Sequence, residues 1–375
     1  MTKTLVVTND FPPRPGGIQA FVHGLALRRP PGSVVVYAPA WDGAARFDAA
    51  QPFPVVRHPG PLMLPEPGVL RRAADVLRAE DCDSVVFGAA APLGLLAPAL
   101  RRRGARRLVA QRRARGRMGG AARRARAARP DRGRRRRPHV PGGVHALPDG
   151  AGARSGRGGA DGAPGPRRGR EDVRGGAGGA DVRARYGLAD RPVAVCVSRL
   201  VPRKGQDALI HAWPEVLRRV PDAVLLLVGG GPYRAELERL AASRGVSRSV
   251  VFTGSVPWEE LPAHYDAGDV FAMPCRTRRR GLDVEGLGIV YLEASATGLP
   301  VVAGDSGGAP DASWTGRRAR SSRDGRSRAS RPPSPVCSPT PPARARAMGE
   351  AGRAWVEREW RWEIQAARLG TLLGD

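Results

Sequence analysis

The chain has 375 residues, with 62 Lys plus Arg against 35 Asp plus Glu for a net charge of +27, and this length excludes a single small module and points to two domains. Only Lys3 and Lys204 among those cations are lysines, and the four cysteines (Cys82, Cys196, Cys275, Cys337) lie far apart without a C-x2-C pair, which excludes a zinc knuckle or disulfide framework and suits a reducing cytoplasm. No apolar stretch reaches the roughly 18 residues of a spanning helix, and the opening residues MTKTLVVTNDFPP lack the apolar core of a secretory signal, so a cytoplasmic location is expected.

In chain order, KTLVVT (residues 3–8) predicts a buried strand, followed by a loop over residues 9–17 and a helix over 18–25. A strand, a glycine-bearing loop and a helix N-terminus aim backbone amides at an anion, and Gly17 permits close approach. Residues 33–38 predict a second strand, 69–78 a helix and 83–88 a third strand. This βαβ rhythm implies a parallel sheet.

Residues 111–180 break the pattern. They hold 19 Arg and 5 acidic residues, with Val, Ile, Leu, Phe, Tyr and Trp confined to Val140, Val144, Leu147 and Val173, so they cannot form a core. Residues 314–342 carry 7 Arg and 1 acid in a Ser/Pro-rich run. The two blocks account for +20 of the +27, leaving +7 on the other 276 residues. One reading is a polyanion- or RNA-binding segment working through phosphate contacts. Against nucleic acid stands the lack of any Phe, Tyr or Trp in residues 111–180, which leaves no platform on which bases stack. The other reading is an off-frame stretch of a GC-rich gene, which would be rich in Arg, Gly, Ala and Pro and would make the chain an inactive product.

The second half repeats the rhythm more plainly. Strands are predicted at 193–197, 223–228, 250–253, 270–273 and 300–303, helices at 206–219, 233–244, 257–267 and 288–297, and a closing helix at 347–373 bearing Trp355, Trp360 and Trp362. The fold class is therefore α/β, two doubly wound Rossmann-like halves facing a cleft, with ligands beyond the carboxyl ends of the strands.

The motifs sit at those ends. SRLVPRKG (198–205) places Arg199 and Lys204 between a strand and a helix; two cations there can hold a diphosphate and stabilise its charge as it departs, although a solvated loop would look alike. EGLGIVYLE (285–293) places Glu285 in a glycine loop and Glu293 two turns into the following helix. Amides of Gly286, Leu287, Gly288 and Ile289 suit a phosphate, and each carboxylate can accept bonds from sugar or ribose hydroxyls. Such spacing also occurs on ordinary solvated helices, and it gains meaning from following SRLVPRKG. His23, His58, His211 and His264 are isolated and read as packing or surface residues, so no metal is expected. Gly229, Gly230 and Gly231 do not complete a dinucleotide fingerprint, and Ser306, Gly307 and Gly308 read as a turn rather than a nucleophile elbow.

Through NDFPPRPGGIQ, SRLVPRKGQD, LLLVGGGPYRAEL, VFTGSVPWEELPAHYDAGDVFAMP and EGLGIVYLEASATGLPVVAGDSGG, the chain resembles the family-four glycosyltransferases of the two-domain GT-B type. CRTRRRGLDVEGLGIVYLEA further resembles the actinobacterial mannosyltransferases that use GDP-mannose to extend phosphatidylinositol mannosides. The resemblance covers residues 1–110, 181–313 and 343–375, the same 276 positions left outside the two basic blocks. It implies retaining mannose transfer to an inositol-mannoside hydroxyl, with no cofactor beyond the nucleotide sugar and no metal, at the inner face of the plasma membrane. It implies Arg199 and Lys204 on the diphosphate, Glu293 on the ribose, and Glu285 with its neighbouring amides near the mannose and phosphates. It also implies Gly16 and Gly17 near phosphate, and Asp10 and Gln19 on the acceptor side. The implied domains are 1–185 (acceptor side), 186–345 (nucleotide-sugar side) and a helix, 346–375, packing back on the first domain. The family's histidine segment after the strand at Arg107–Ala110 has no counterpart, since Gln111 opens the basic block; His139 and His145 do not align with it.

Overall fold

The computed structural model describes residues 2–14, 16–89, 92–110, 178–279, 283–313 and 342–375. Its first sheet is built from β1 (Thr4–Val7), β2 (Val34–Pro39), β3 (Val55–His58), β4 (Ser84–Phe87) and β5 (Arg107–Ala110). The intervening helices are α1 (Gly17–Leu27), α2 (Ala44–Ala49), α3 (Pro67–Ala79) and α4 (Ala97–Arg102). After α5 (Gly179–Arg185) a second sheet takes β6 (Val193–Val197), β7 (Val224–Val228), β8 (Val250–Gly254), β9 (Val270–Met273) and β10 (Val301–Ala303). Its helices are α6 (Gln206–Arg219), α7 (Arg234–Ser243), α8 (Leu261–Asp266) and α9 (Ile289–Ala296), and the chain closes with α10 (Pro342–Glu359) and α11 (Trp362–Leu373). Every pairing is parallel, in the orders β3-β2-β1-β4-β5 and β10-β9-β6-β7-β8.

Helices cover both faces of such sheets, so the strands read as unbroken apolar runs: all five residues of β7, VLLLV, are buried. Strand order reverses between β1 and β4 and between β6 and β9. A crevice opens at such a switch point, beyond the carboxyl ends of the strands, and the motif loops leave β1, β6 and β9 there. The two halves are Rossmann-like, as the sequence implies.

Several elements differ from the sequence reading. β3, α2 and α4 escape it because β3 is a half-buried edge strand of four residues and α2 and α4 have only six residues each, too short for a periodic pattern. The helix expected at 257–267 is shortened to α8, with Trp258–Glu260 in a 3-10 turn between Pro257 and Pro262. The single tail helix at 347–373 is two helices, broken where Arg361 turns extended (φ −56°, ψ 148°). Trp360 is buried in the second-domain core and Trp362 in the first. Thus α10 packs on α9, and α11 alone returns to α1. The sequence groups residues up to 185 with the first domain, yet Val182 of α5 lies in the second core and Gly179 donates its N–H to Asp266 Oδ2 at 3.0 Å. Most of the basic blocks 111–180 and 314–342, with His139, His145 and Cys337, lies outside the described residues.

Candidate functional site

The turn after β6 is held from three sides. Gln206, fully buried, donates from Nε2 to Ser198 Oγ (2.9 Å) and to the Arg199 carbonyl (3.1 Å). The Leu200 amide donates to the Gly230 carbonyl at 2.9 Å, and the Tyr233 amide to the Leu200 carbonyl at 3.2 Å. A Cβ at Gly231 would come within 2.8 Å of the Leu200 nitrogen, so the triple glycine that no dinucleotide motif explained lets the β7 loop lie against this turn. Arg199 is thereby left exposed at the cleft. Lys204, in a 3-10 turn over Pro202–Lys204, points inward instead.

Lys204 Nζ lies 2.9 Å from Oε1 and 2.8 Å from Oε2 of Glu285, with side chains only 10% and 7% exposed. Arg203 stands behind the pair, 3.7 Å from Glu285 and 3.8 Å from Asp283. The Glu285 loop is fastened from below: its N–H donates to Ser306 Oγ at 3.1 Å, and the Gly308 amide donates to the Gly286 carbonyl at 2.8 Å. Arg276 grips Asp207 with both guanidinium nitrogens, at 2.9 and 2.6 Å, and so ties the strand leading to this loop onto α6.

From Gly288 the chain enters α9, which carries Glu293 inward. The Tyr265 hydroxyl donates to Glu293 Oε2 at 2.7 Å, both groups buried. Burial pushes the Glu293 carboxyl up to about 7, against the opposing effects of the Tyr265 hydroxyl and the Lys204 charge; burial and the neighbouring carboxylate hold the Tyr265 phenol well above its usual range.

Across the cleft, the N-termini of α1 and α9 meet. A Cβ at Gly17 would lie 3.4 Å from Ile289 Cδ1, and one at Gly286 would lie 3.5 Å from Ile18 Cδ1. Gly16 and Gly17 are exposed to the cleft rim. Gln19, buried, donates from Nε2 to Asp10 Oδ1 at 3.0 Å. Asp10 lines a pocket with Asn9, Arg14, Leu62, Pro92 and Leu93. Asn9 clamps the backbone of Met63 through both amide atoms, at 2.9 and 2.7 Å, and so places Leu62 on that rim.

The structure therefore brings Lys204, Glu285, Gly286, Leu287, Gly288, Ile289 and Glu293 to one end of the second sheet, with Arg199 at the edge and Gly16 and Gly17 opposite. Asp10 and Gln19 form a separate pair on the first-domain side. Cations and helix-terminal amides there can stabilise a leaving diphosphate, and the carboxylates can accept from hydroxyl groups. Sequence reasoning missed Tyr265, Gln206, Ser306 and Asn9, whose partners lie 28, 8, 21 and 54 residues away. Three of the histidines have partners, His23 at 2.6 Å from Gln51 Oε1, His58 at 3.3 Å from the Tyr37 hydroxyl and the buried His264 at 2.8 Å from the Glu260 carbonyl, while His211 is exposed.

The family profile described as Glycosyl transferases group 1 matches residues 181–314. Over 98% of its length the chain is 48% identical to the GDP-mannose-dependent alpha-(1-6)-phosphatidylinositol monomannoside mannosyltransferase of Mycolicibacterium smegmatis, covering 97% of that protein. It is 38% identical, over 99% of its length and 97% of the relative's, to the GDP-mannose-dependent monoacylated alpha-(1-6)-phosphatidylinositol monomannoside mannosyltransferase of Corynebacterium glutamicum. Among solved structures it resembles Anabaena Alr3699/HepE in complex with UDP and glucose, with a TM-score of 0.66 and 17% identity over 99% of both chains. No helix among the described residues is long and apolar enough to cross a membrane.

Proposed function

The chain belongs to the group 1 glycosyltransferases, and from that premise we propose that it transfers mannose from GDP-mannose, with retention, to a phosphatidylinositol mannoside at the inner face of the plasma membrane. The donor half of this reading is carried by the convergence of Lys204, Glu285, the α9 N-terminus and Glu293 at one sheet end. The acceptor half rests on the near full-length likeness to phosphatidylinositol monomannoside mannosyltransferases.

In this reading the diphosphate lies against the first turn of α9 with Lys204 and Arg199 on its oxygens. Glu293 receives the ribose hydroxyls, and Glu285 lies beside the mannose. As the bond from the sugar's anomeric carbon to the diphosphate oxygen breaks, charge grows on the diphosphate. The cations and amides gathered there then bind it more tightly than in the ground state. The acceptor hydroxyl forms the new bond on the same face of the sugar, and its proton leaves with the nucleoside diphosphate. Lys204 must turn from Glu285 to phosphate for this, so the ion pair of the ligand-free site keeps a buried cation neutralised until the donor arrives. Asp10 and Gln19 face the acceptor, and closure of the two domains excludes water that would hydrolyse the donor.

The test supplies purified protein with radiolabelled GDP-mannose and a phosphatidylinositol monomannoside in detergent micelles. A doubly mannosylated lipid with an α-linkage is the expected product. Use of a UDP-sugar with no turnover of GDP-mannose would sink the donor assignment while leaving the glycosyltransferase family intact.

A further inference from the structure

We infer that Tyr265 is a positioning residue for the donor: its hydroxyl holds the Glu293 carboxylate so that the nucleotide ribose meets an ionised, correctly turned acceptor. The inference rests on the reading of Glu293 as the ribose ligand. Tyr265 is 1% exposed and Glu293 6% exposed, and the 2.7 Å bond from the phenol to Oε2 joins α8 to α9. The tyrosine ring is itself fixed. It packs against Phe271 of β9, with centroids 5.8 Å apart, and the main chain that carries it is held by the Gly268 amide, which donates to the Tyr265 backbone carbonyl at 2.9 Å. A rigid donor buried beside a carboxylate satisfies one oxygen and leaves the other to be presented to a ligand.

The same bond selects a charge state. A buried carboxylate is driven toward its protonated form, and a donor to the ionised form opposes this. The charged or titratable groups facing Glu293 are Tyr265 from α8 and Lys204 from the turn before α6, with Cys196 of β6 acting on Tyr265. Ribose hydroxyls donate to a carboxylate better than to a carboxyl, so nucleotide affinity should rise with pH as Glu293 ionises. Without the phenol that rise should come at higher pH.

The experiment titrates GDP calorimetrically against wild type, Tyr265→Phe, Glu293→Gln and the double variant from pH 5.5 to 8.5. The expected result for Tyr265→Phe at pH 7 is a Kd about tenfold weaker, the scale of one hydrogen bond to a charged group, with the affinity-pH midpoint displaced to higher pH and the melting temperature nearly unchanged. Glu293→Gln should weaken GDP and flatten the pH profile. Adding Tyr265→Phe to it should then change Kd less than about twofold, because the phenol acts through the carboxylate. Since the double variant removes the buried charge along with its partner, it keeps the test open even if Tyr265→Phe alone folds poorly. If Tyr265→Phe leaves Kd and midpoint unaltered while Glu293→Gln weakens GDP, the positioning role is overturned and the ribose reading stands. If the double variant loses as much again as Tyr265→Phe does alone, the phenol acts independently of Glu293 and the role is likewise overturned. If Glu293→Gln itself changes neither affinity nor pH profile, the ribose reading falls and the inference with it.

Discussion

Removing one member of the Lys204–Glu285 pair should cost far more than removing both. At 2.8 Å, two unit charges attract by about 6 kcal/mol at an effective dielectric of 20, while burying them costs several kcal/mol per ion. The pair is therefore close to balanced, but an orphaned partner is not. Lys204→Met leaves the Glu285 carboxylate buried, with only Arg203 at 3.7 Å to answer it, which places the loss near the lower end of the ~3–5 kcal/mol seen for broken buried pairs. Glu285→Leu leaves Lys204 with only the Glu293 charge to answer it, and its loss should fall in the same range. Lys204→Met/Glu285→Leu should recover most of the stability and can exceed wild type, as apolar replacements of buried ion pairs often do. Urea unfolding read by tryptophan fluorescence measures this, since Trp213 is buried in the same core. GDP titration gives the functional half: the two variants that lack Lys204 should lose roughly 10-fold or more in affinity, the scale of a charge-assisted bond to phosphate, whereas Glu285→Leu, which frees Lys204 for phosphate, should not weaken GDP. A double variant as unstable as the sum of the two singles would refute the reasoning, because the pair would then be two independent contributions.

Gly24→Ala adds a Cβ within 2.7 Å of Trp362 Cζ2 and 2.8 Å of Cζ3. The ring cannot retreat, stacked on Phe21 at 5.9 Å with the Arg28 guanidinium 4.6 Å from its centroid. Overpacking of roughly 1–3 kcal/mol should outweigh the ~0.5–1 kcal/mol helix gain of alanine, so urea unfolding should show a net loss of about 1 kcal/mol, and a gain would mean that α11 is not docked here. Glu293 has a folded pKa near 7 against an ordinary 4.5, so the native state holds its proton more tightly. That contribution is present below pH 4.5 and lost as pH rises through 7. Ligand-free wild type should therefore fall relative to Glu293→Gln across this window by up to about 3 kcal/mol, and a stability gap that is the same at pH 5 and pH 8 would contradict the buried placement. Gly307 adopts φ +58°, and an added Cβ would stand 2.8 Å from the Glu285 carbonyl carbon; Gly307→Ala should displace the Glu285 loop and weaken GDP at least tenfold by titration, by the strain of a crowded left-handed site.

Much of this protein was legible along the chain because its signals are local. Apolar runs such as VLLLV, followed by a glycine-bearing turn and an amphipathic stretch, encode the parallel α/β halves, and SRLVPRKG and EGLGIVYLE carry the site's charges within single loops. Helix ends were less legible. The tail broke at Arg361 because Trp360 and Trp362 are drawn into different cores, which a helical pattern cannot reveal. Tertiary structure alone decided which groups meet: that Lys204 faces Glu285 across 81 residues, that Tyr265 donates to Glu293, and that the glycine triad clamps the Arg199 turn. Sequence specifies strand and helix through short-range periodicity, whereas the pairing of buried polar groups follows from strand order, which brings the loops of β6 and β9 together at the switch point of the second sheet.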